Sequence, residues 1–354
     1  RTIAISGSHG KSTTTAFVGL ILKKAGLDPT VVIGTKLREF GNSNFRAGRG
    51  KLLVLEADEW NRSFLHYSPF AALVTNIDRE HLDTYKDLAD VKRTFLKFLS
   101  QTQKGGFLIL NRDDRNVYSL RSPIGQIAKS KSLKVFWYSL KQQVKGKVRR
   151  ALKIPGEHNV SNALAAYTVA TKVFHIPSRI ALQAIARYKG AWRRMEYRGK
   201  LPTTNYQLPV YDDYAHHPTE IKATLAAFRE KFSDQKIICV YQPHQAKRLQ
   251  ALFTDFKSAF GDADVLILLP VYEVAGRDKV NSKIDSRALA RAITKRYPKK
   301  QVFYLKNPRH IRKTLSVLLK PLLAKPFTLS PIIVMMGAGD IVQYTDLLLA
   351  RGQK

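Results

Sequence analysis

The chain has 354 residues, of which 44% are hydrophobic. This length exceeds the usual size of one domain, so we expect two domains, each with its own apolar core. The single cysteine, Cys239, excludes a disulfide within the chain and any metal site built from several cysteines. No apolar stretch is long enough to cross a membrane and no signal peptide is recognisable, so we expect a cytoplasmic protein without a membrane partner.

The formal net charge of +33 at pH 7 is unusually high. Such a charge is compatible with nucleic-acid binding and with a basic surface in a protein whose ligands are polyanions. The basic residues are dispersed along the chain rather than gathered in one arm, and they follow no helix-turn-helix or zinc-finger pattern. We therefore expect polyanionic ligands and no nucleic-acid partner.

Apolar runs alternate with amphipathic helical patterns along the chain. In the first half they predict strands at 2–6, 30–33, 52–56, 71–76, 106–111 and 134–138, and helices at 12–25, 88–99, 159–174 and 178–187. In the second half they predict strands at 210–214, 236–241, 265–270, 301–304 and 332–336, and helices at 219–232, 246–260, 286–296, 308–323 and 341–350. This alternation is typical of α/β domains with mostly parallel sheets. A stretch with Gly, Arg and Pro at 189–202 interrupts it, so we expect domains at 1–190 and 191–354.

A glycine-rich loop joins the first predicted strand to the first predicted helix. It follows a short variant of the phosphate-binding loop, Gly-x-x-Gly-Lys-Ser, and consists of Gly7, Ser8, His9, Gly10, Lys11, Ser12 and Thr13. Backbone N–H groups in such a loop face an anion. The lysine can reach the β- and γ-phosphates, and a hydroxyl can bind Mg²⁺. A small turn of this kind can also simply connect a strand to a helix, but the flanking elements favour a nucleotide site.

Acidic residues end the strand predicted at 52–56, and a histidine follows the strand predicted at 71–76. Carboxylates at the carboxyl end of a parallel strand point into the ligand crevice, so Glu56 is a candidate Mg²⁺ ligand beside the loop. The alternative is a solvated acidic turn. His81 lies between carboxylates and is either a metal ligand or a surface residue.

Two asparagines open the helix predicted at 159–174. Asn159 and Asn162 are three residues apart and lie on one helical face, where they can contact a purine edge. They can also serve as helix caps, and the two roles are compatible.

In the second half, paired Asp and His residues occur at 212–220, which is unusual for a plain loop. His244 follows the next predicted strand, with Arg248 one helical turn further on. The alternative there is a capped turn with a solvated arginine. The glycine turn at 337–340 resembles a nucleotide-binding turn or a tight connection.

In this order the motifs resemble the Mur ligase family, the ATP-dependent amide-bond formers of peptidoglycan synthesis. The resemblance covers nearly the whole chain and rests on residues 7–13, 56–59, 63–64, 75–83, 85, 156–162, 165–166, 193–194, 212–220, 242–244 and 337–340. It implies a P-loop-type central ATPase domain and a C-terminal Rossmann-like domain. It also implies that a UDP-binding domain would precede Arg1 in a complete family member.

The resemblance implies a reaction in which ATP phosphorylates the lactyl carboxylate of UDP-N-acetylmuramate and the amine of L-alanine then displaces phosphate. It implies ATP and Mg²⁺ as cofactors, and a monomer or weak homodimer. The implied catalytic residues are Lys11, Glu56 and His81, and the implied metal ligands are Ser12, Glu56 and His81. The implied ATP contacts are residues 7–13, His158, Asn159, Asn162, Arg194 and Asp213, and the implied amino-acid contacts are His244 and Arg248.

The chain departs from the family pattern in two places. Trp60 and Asn61 follow Glu59, where Ser-Asp is usual. Gln245 follows the Gln-Pro-His run, where members that add L-alanine usually have Arg. L-Alanine is favoured over L-serine or glycine. The alternatives are an inactive or regulatory nucleotide-binding relative and a related Mur-type ligase for another amino acid.

Overall fold

The structure, a computed structural model, describes residues 1–81, 83–203, 207–274, 284–323 and 330–350. The chain forms two compact units, Arg1–Trp192 and Arg193–Lys354. Both are α/β with mostly parallel sheets, which confirms the predicted fold class. Among the described residues, no helix has both the length and the apolarity that crossing a membrane requires.

Within the described part of the first unit, seven strands form one sheet in the order β3-β2-β4-β1-β5-β6-β7. All neighbours are parallel except β2 and β3. The strands are β1 Thr2–Ser6, β2 Thr30–Leu37, β3 Ser43–Arg46, β4 Leu53–Glu56, β5 Ala71–Val74, β6 Phe107–Asn111 and β7 Lys134–Tyr138. The helices are α1 Lys11–Lys24, α2 Leu88–Ser100, α3 Arg115–Ser119, α4 Arg121–Ser130, α5 Lys145–Ala151, α6 Glu157–Thr168 and α7 Ser178–Ile185.

Apolar side chains cover both faces of this sheet. On one face α1 packs against α6 and α7, and the rings of Phe17 and Tyr188 lie 4.5 Å apart. On the other face Phe64 stacks on Phe98 at 4.7 Å. The register pairs Ile5 of β1 with Glu56 of β4 and Ser6 of β1 with Val74 of β5. The chain segments that follow β1, β4 and β5 therefore lie together at the carboxyl ends of these strands.

The first unit also differs from its prediction in several elements. Strand β2 runs on to Leu37 and pairs with β3, which the sequence did not predict. Helices α3, α4 and α5 occupy segments where no helix was predicted. The helix predicted at 159–174 is α-helical only to Thr168 and continues as a π-helix, Val169–Val173. Thr168 and Thr171 donate hydroxyl hydrogen bonds to carbonyls four residues earlier, a pattern that distorts helices.

Within the described part of the second unit, six strands form a sheet in the order β12-β11-β10-β13-β9-β8, with only β8 and β9 antiparallel. The strands are β8 Glu196–Pro202, β9 Gln207–Asp213, β10 Ile237–Tyr241, β11 Val265–Leu268, β12 Gln301–Tyr304 and β13 Ile332–Met336. The helices are α8 Pro218–Lys231, α9 Ala246–Ala251, α10 Phe253–Phe256, α11 Ser286–Arg296, α12 Ile311–Leu323 and α13 Ile341–Leu349.

Two predicted features of this unit need correction. Strand β8 lies within the stretch at 189–202 that was predicted only to interrupt the periodicity. The helix predicted at 246–260 is divided at Leu252 into α9 and α10. In the register, Met336 of β13 pairs with both Asp213 of β9 and Tyr241 of β10. The segments that follow these three strands therefore also meet at one edge.

A buried carboxylate in this sheet leads to a testable pH dependence of stability. Asp212 is 1% exposed, accepts a 2.5 Å hydrogen bond from Thr345 and pairs with Arg198. Burial raises the pKa of Asp212 from 3.8 to about 6, although Thr345 and Arg198 oppose the shift. A raised folded-state pKa means that the carboxyl group's contribution to stability is complete below the unfolded-state pKa and is lost as pH rises through 6.

We therefore expect the free energy of unfolding of the wild-type chain, relative to Asp212→Asn, to fall by about 2.5 kcal/mol between pH 4 and pH 8. Urea unfolding of both variants across this range measures the difference. The control is Asp346→Asn, which removes the other, exposed carboxylate on Arg198. A difference between wild type and Asp212→Asn that stays constant with pH would contradict the burial argument.

Candidate active site

The glycine-rich loop after β1 requires both of its glycines. Gly7 has φ +132° and Gly10 has φ +80°, which other residues rarely adopt. A Cβ added at Gly10 would lie 2.5 Å from Asn162 Oδ1, and one added at Gly7 would collide with Thr75 Oγ1. Backbone at these positions thus approaches its neighbours more closely than any side chain would allow, and the loop forms a tight cradle.

The segment after β5 holds the loop in place. The backbone N–H of His9 donates to Asn76 Oδ1 at 2.8 Å, and Asn76 Nδ2 donates to the His9 carbonyl at 2.9 Å. Thr75 Oγ1 donates to the same carbonyl at 2.7 Å, and Ser8 Oγ accepts from the Asp78 N–H at 2.8 Å. The sequence showed Thr75 and Asn76 at a strand end, but it did not identify them as the residues that fix the loop.

Helix α1 begins at the end of this loop without a side-chain cap. Its N-cap is Gly10, which makes no side-chain cap hydrogen bond, and the first turn contains no acidic residue. The first N–H groups of a helix have no partner within the helix, and the helix dipole makes this end positive. Lys11 and Ser12 are the first two helical residues. The start of α1 is therefore suited to a phosphate group.

Lys11 forms a buried ion pair. Its Nζ lies 2.8 Å from Glu59 Oε2 and 3.6 Å from Asp58 Oδ1, and the side chains of Lys11 and Glu59 are 12% and 1% exposed. Burial alone would lower the pKa of Lys11, but Glu59 and Asp58 outweigh it and raise that pKa. Burial would raise the pKa of Glu59, but Lys11 and His81 lower it to about 2. Both partners are charged at neutral pH.

The three predicted metal ligands fall into two groups. Ser12 Oγ donates to Glu56 Oε1 at 2.9 Å. His81 Nε2 lies 3.5 Å from Glu59 Oε1 and 3.9 Å from Asp58 Oδ1. One potential ligand atom from each of Asp58, Glu59 and His81 lies within 4.8 Å of the others. The carboxylates of Asp58 and Glu59 therefore belong beside His81, a placement that the acidic run at 56–59 suggested without assigning it.

Besides Ser12, Glu56 has a partner in the backbone of β2. Its Oε2 accepts from the backbone N–H of Gly34 at 2.6 Å. Burial raises the pKa of Glu56, and Lys11, the Gly34 N–H and the Ser12 hydroxyl partly offset that rise. The half-buried Glu56 carboxylate and the Ser12 hydroxyl beside it offer oxygen ligands that suit a hard divalent cation, whose charge would favour the ionised carboxylate.

The asparagines of α6 lie close to the glycine-rich loop. Asn162 is buried against Gly10. Asn159 is also buried, and its Nδ2 donates to the Pro155 carbonyl at 2.7 Å. The predicted capping role is wrong, because the N-cap of α6 is Gly156 and no side-chain cap hydrogen bond is formed there. His158, which directly precedes Asn159, is partly exposed. The structure thus brings Asn162, one of these three predicted ATP contacts, directly to the loop.

Arg194 and Asp213 belong to the second unit. Asp213 is buried and accepts from the N–H groups of Met195 at 2.8 Å and Ala215 at 2.9 Å. Burial raises the pKa of Asp213, opposed by Arg194 and by those backbone donors. Arg194 lies 5.3 Å above the Tyr214 ring and 3.7 Å from a Glu220 oxygen. Asp213 therefore orders the backbone on the C-terminal side of Arg194.

His244 and Arg248 are in contact. Arg248 is 7% exposed, and its Nη1 lies 3.2 Å from His244 Nδ1. Because a guanidinium can only donate, Nδ1 of His244 accepts and Nε2 carries the proton of the neutral ring.

His216 lies 5.8 Å from His244 between ring centroids, and its Nδ1 is 3.1 Å from the Tyr214 carbonyl. A carbonyl only accepts, so His216 Nδ1 is protonated. The paired histidines at 216–217 were a signal for this position, but sequence reasoning gave His216 no role.

Comparison with known proteins identifies the family of this chain. Residues 5–170 match the family model described as the Mur ligase middle domain, and residues 193–339 match the Mur ligase, glutamate ligase domain. UDP-N-acetylmuramate–L-alanine ligase of Sulfurihydrogenibium sp. is 38% identical over 98% of this chain and 74% of its own length. The Geobacter sp. protein of that name is 38% identical over 99% of this chain and 75% of its own length.

Solved structures show the same fold. The UDP-N-acetylmuramate-alanine ligase of Thermotoga maritima superposes with a TM-score of 0.73 at 23% identity, over 99% of this chain and 74% of its own. A murein peptide ligase from Psychrobacter arcticus gives a TM-score of 0.64 at 22% identity, over 100% of this chain and 78% of its own. At these identities the likeness concerns the fold.

Proposed function

Because this chain belongs to the Mur ligase family, we propose that it catalyses ATP-dependent joining of L-alanine to the lactyl carboxylate of UDP-N-acetylmuramate in peptidoglycan precursor synthesis. The relatives at 38% identity bear the name of this activity. The observation that carries the proposal is the buried Lys11–Glu59 ion pair at the uncapped start of α1, next to the Ser12–Glu56 pair. It combines a fixed cation, an anion-binding helix end and carboxylates suited to a metal.

The charges fit the first chemical step. A substrate carboxylate attacks the γ-phosphate of ATP, and both groups are anionic, so catalysis must neutralise their repulsion. Lys11 and the first N–H groups of α1 provide positive charge that is already in place before substrates bind. We propose that Ser12, Glu56 and His81 hold Mg²⁺, which supplies further positive charge at the phosphates. The carboxylate oxygen bonds to the γ-phosphorus, the bond to the β,γ-bridging oxygen breaks, and the products are an acyl phosphate and ADP.

The second unit supplies the amino-acid contacts. We propose that Arg248 pairs with the α-carboxylate of L-alanine through a charge-assisted hydrogen bond. His244 accepts from Arg248 at Nδ1 and so presents a donor nitrogen at Nε2. His216 has the opposite polarity, since its Nδ1 is the protonated nitrogen. An acceptor nitrogen suits the substrate amine, which must lose a proton to attack the acyl phosphate.

We propose that residues of α6 and of the second unit make the remaining contacts with ATP. Asn159 and Asn162 would lie at the adenine, His158 would also contact ATP, and Arg194 would meet a phosphate. Asp213, with oxygens that already accept backbone hydrogen bonds, would act by holding the chain beside Arg194. We propose that the protein acts in the cytoplasm, on small molecules rather than nucleic acid or membranes, as a monomer or weak homodimer.

The metal assignment predicts a change in Mg²⁺ dependence. We expect Glu56→Gln and His81→Gln each to raise the Mg²⁺ concentration for half-maximal activity at least about tenfold, because each removes a proposed ligand. Thermal unfolding should change less. Glu157→Gln, which removes an exposed carboxylate of the same unit, is the control. If both site variants titrate with Mg²⁺ like the wild type, neither residue is a metal ligand.

Product analysis tests the proposed function itself. The full-length gene product is incubated with ATP, Mg²⁺, UDP-N-acetylmuramate and one amino acid at a time, and the products are identified by mass spectrometry. We expect the L-alanine adduct, with less product from L-serine or glycine. Nucleotide binding without any adduct would instead support an inactive or regulatory relative, and an adduct with another amino acid a related ligase.

A further inference from the structure

A pair of stacked rings lies beside the proposed amino-acid site. The rings of Tyr272 and His244 are 5.4 Å apart between centroids and inclined by only 11°. We propose that Tyr272 is a positioning residue for the amino-acid substrate: its ring fixes the orientation of His244 and, through His244, that of Arg248. The inference rests on the proposed function, since it assigns a role within the same site.

The backbone brings the two rings together independently of the tyrosine side chain. His244 and Tyr272 form an isolated parallel bridge. The Gln245 N–H donates to the Tyr272 carbonyl at 2.9 Å, and the Tyr272 N–H donates to the Pro243 carbonyl at 2.8 Å. Substitution of Tyr272 leaves these backbone bonds possible. The contribution of the ring can therefore be separated from that of the segment.

The turn after β10 needs such support. Gln245 has φ +68°, a left-handed conformation that is unfavourable for a residue with a side chain. It lies between His244 and α9, which carries Arg248. The orientation of His244 relative to Arg248 thus depends on a strained residue, and contacts from outside the turn are what can hold it.

The Tyr272 ring is itself held by the glycine turn after β13. A Cβ added at Gly339 would lie 2.5 Å from Tyr272 Cγ and 2.8 Å from Gln242 Oε1. Gln242 donates to Asp340 Oδ1 at 2.7 Å and accepts from the Ile341 N–H at 3.1 Å. The ring therefore rests against a turn that is hydrogen-bonded to the end of β10, and it cannot shift without disturbing that turn.

The consequence concerns the guanidinium that we propose binds the substrate carboxylate. Arg248 Nη1 is 3.2 Å from both His244 Nδ1 and the His244 carbonyl. Rotation of the imidazole would move one of these two acceptors away from Arg248. Without the Tyr272 ring, His244 has more rotational freedom, and Arg248 is less often oriented for the substrate.

Two substitutions at position 272 separate the ring from the hydroxyl. We expect Tyr272→Leu to raise the KM for L-alanine roughly 2- to 12-fold, the range expected for loss of one aromatic pair. The KM for ATP should not change, and Tyr272→Phe, which retains the ring, should behave like the wild type. Tyr304→Leu, a tyrosine of β12 in the same unit, is the matched control. An unchanged KM for L-alanine in Tyr272→Leu, or equal rises for both substrates, would overturn the proposal.

A second variant and a spectroscopic readout cover the case in which Tyr272→Leu folds poorly. Gly339→Ala keeps Tyr272 but displaces its ring, so it should also raise the KM for L-alanine selectively. In the substrate-free protein, the imidazole proton signals of His244, assigned with His244→Gln, should shift in Tyr272→Leu and in Gly339→Ala but not in Tyr272→Phe. Unshifted signals would disprove the ring contact. Shifted signals in a protein that makes no L-alanine adduct would reject the proposed function instead.

Discussion

Replacement of Lys11 by alanine is expected to reduce turnover at least about 100- to 1000-fold, the cost of removing one preorganised electrostatic group at a transition state. Lys11 is the buried cation at the start of α1, and its proposed role is to stabilise the charge that develops at the transferring phosphate. Lys23→Ala, an exposed lysine at the other end of the same helix, should leave turnover unchanged. Nucleotide affinity and turnover are measured together in these variants.

The same substitution should also destabilise the fold. Glu59 would remain buried and charged without its partner, which typically costs about 3–5 kcal/mol. The double variant Lys11→Ala, Glu59→Gln distinguishes loss of activity through unfolding from loss of the catalytic cation, because its remaining side chain at position 59 is neutral. We expect the double variant to recover stability but not turnover. Recovery of turnover, or wild-type nucleotide affinity in Lys11→Ala, would contradict the assignment of this loop.

The second large effect is expected at Arg248. Arg248→Ala removes the charged partner of the substrate α-carboxylate, a charge-assisted hydrogen bond of about 1.5–3 kcal/mol. This corresponds to a rise of roughly 10- to 150-fold in the KM for L-alanine. The KM for ATP should barely change, because the phosphate-binding loop belongs to the other unit.

Steady-state kinetics with each substrate varied in turn decides this prediction. Lys247→Ala, which removes the exposed cation next to Arg248, is the control for a general loss of positive charge. Gln245→Ala should have a smaller effect than Arg248→Ala. Equal rises in both KM values for Arg248→Ala would mean that this arginine acts through folding rather than through the substrate.

The parallel strands of the fold could be predicted from the sequence, including the edge strands β7 and β12, whereas the antiparallel edge strands β3 and β8 could not. β1 and β10 are continuous apolar runs that are buried on both faces, and such runs are easy to recognise. β3 and β8 lie at sheet edges and are largely half-buried or exposed, so their residues are mostly polar. Their pairing is antiparallel and depends on a neighbouring strand rather than on their own composition.

Most candidate site residues could be located in the sequence because they follow strand ends. The residues with which they pair could not be predicted. Glu59 was one of several carboxylates, and its pairing with Lys11 depends on how the segment after β4 folds back towards α1. Tyr272 lies far from His244 in the sequence, and only the bridge after β10 brings them together. Local patterns thus indicated which segments contain candidate site residues, and non-local contacts determine which side chains form ion pairs or hydrogen bonds.

The most direct test of the proposed reaction follows oxygen atoms. UDP-N-acetylmuramate labelled with ¹⁸O in both lactyl carboxylate oxygens is incubated with ATP, Mg²⁺, L-alanine and the full-length gene product. If the carboxylate attacks the γ-phosphate and the amine then displaces phosphate, each inorganic phosphate released carries one ¹⁸O atom, and the other remains in the new amide. Phosphate without label, or released equally well without L-alanine, would contradict an amide ligase that acts through an acyl phosphate.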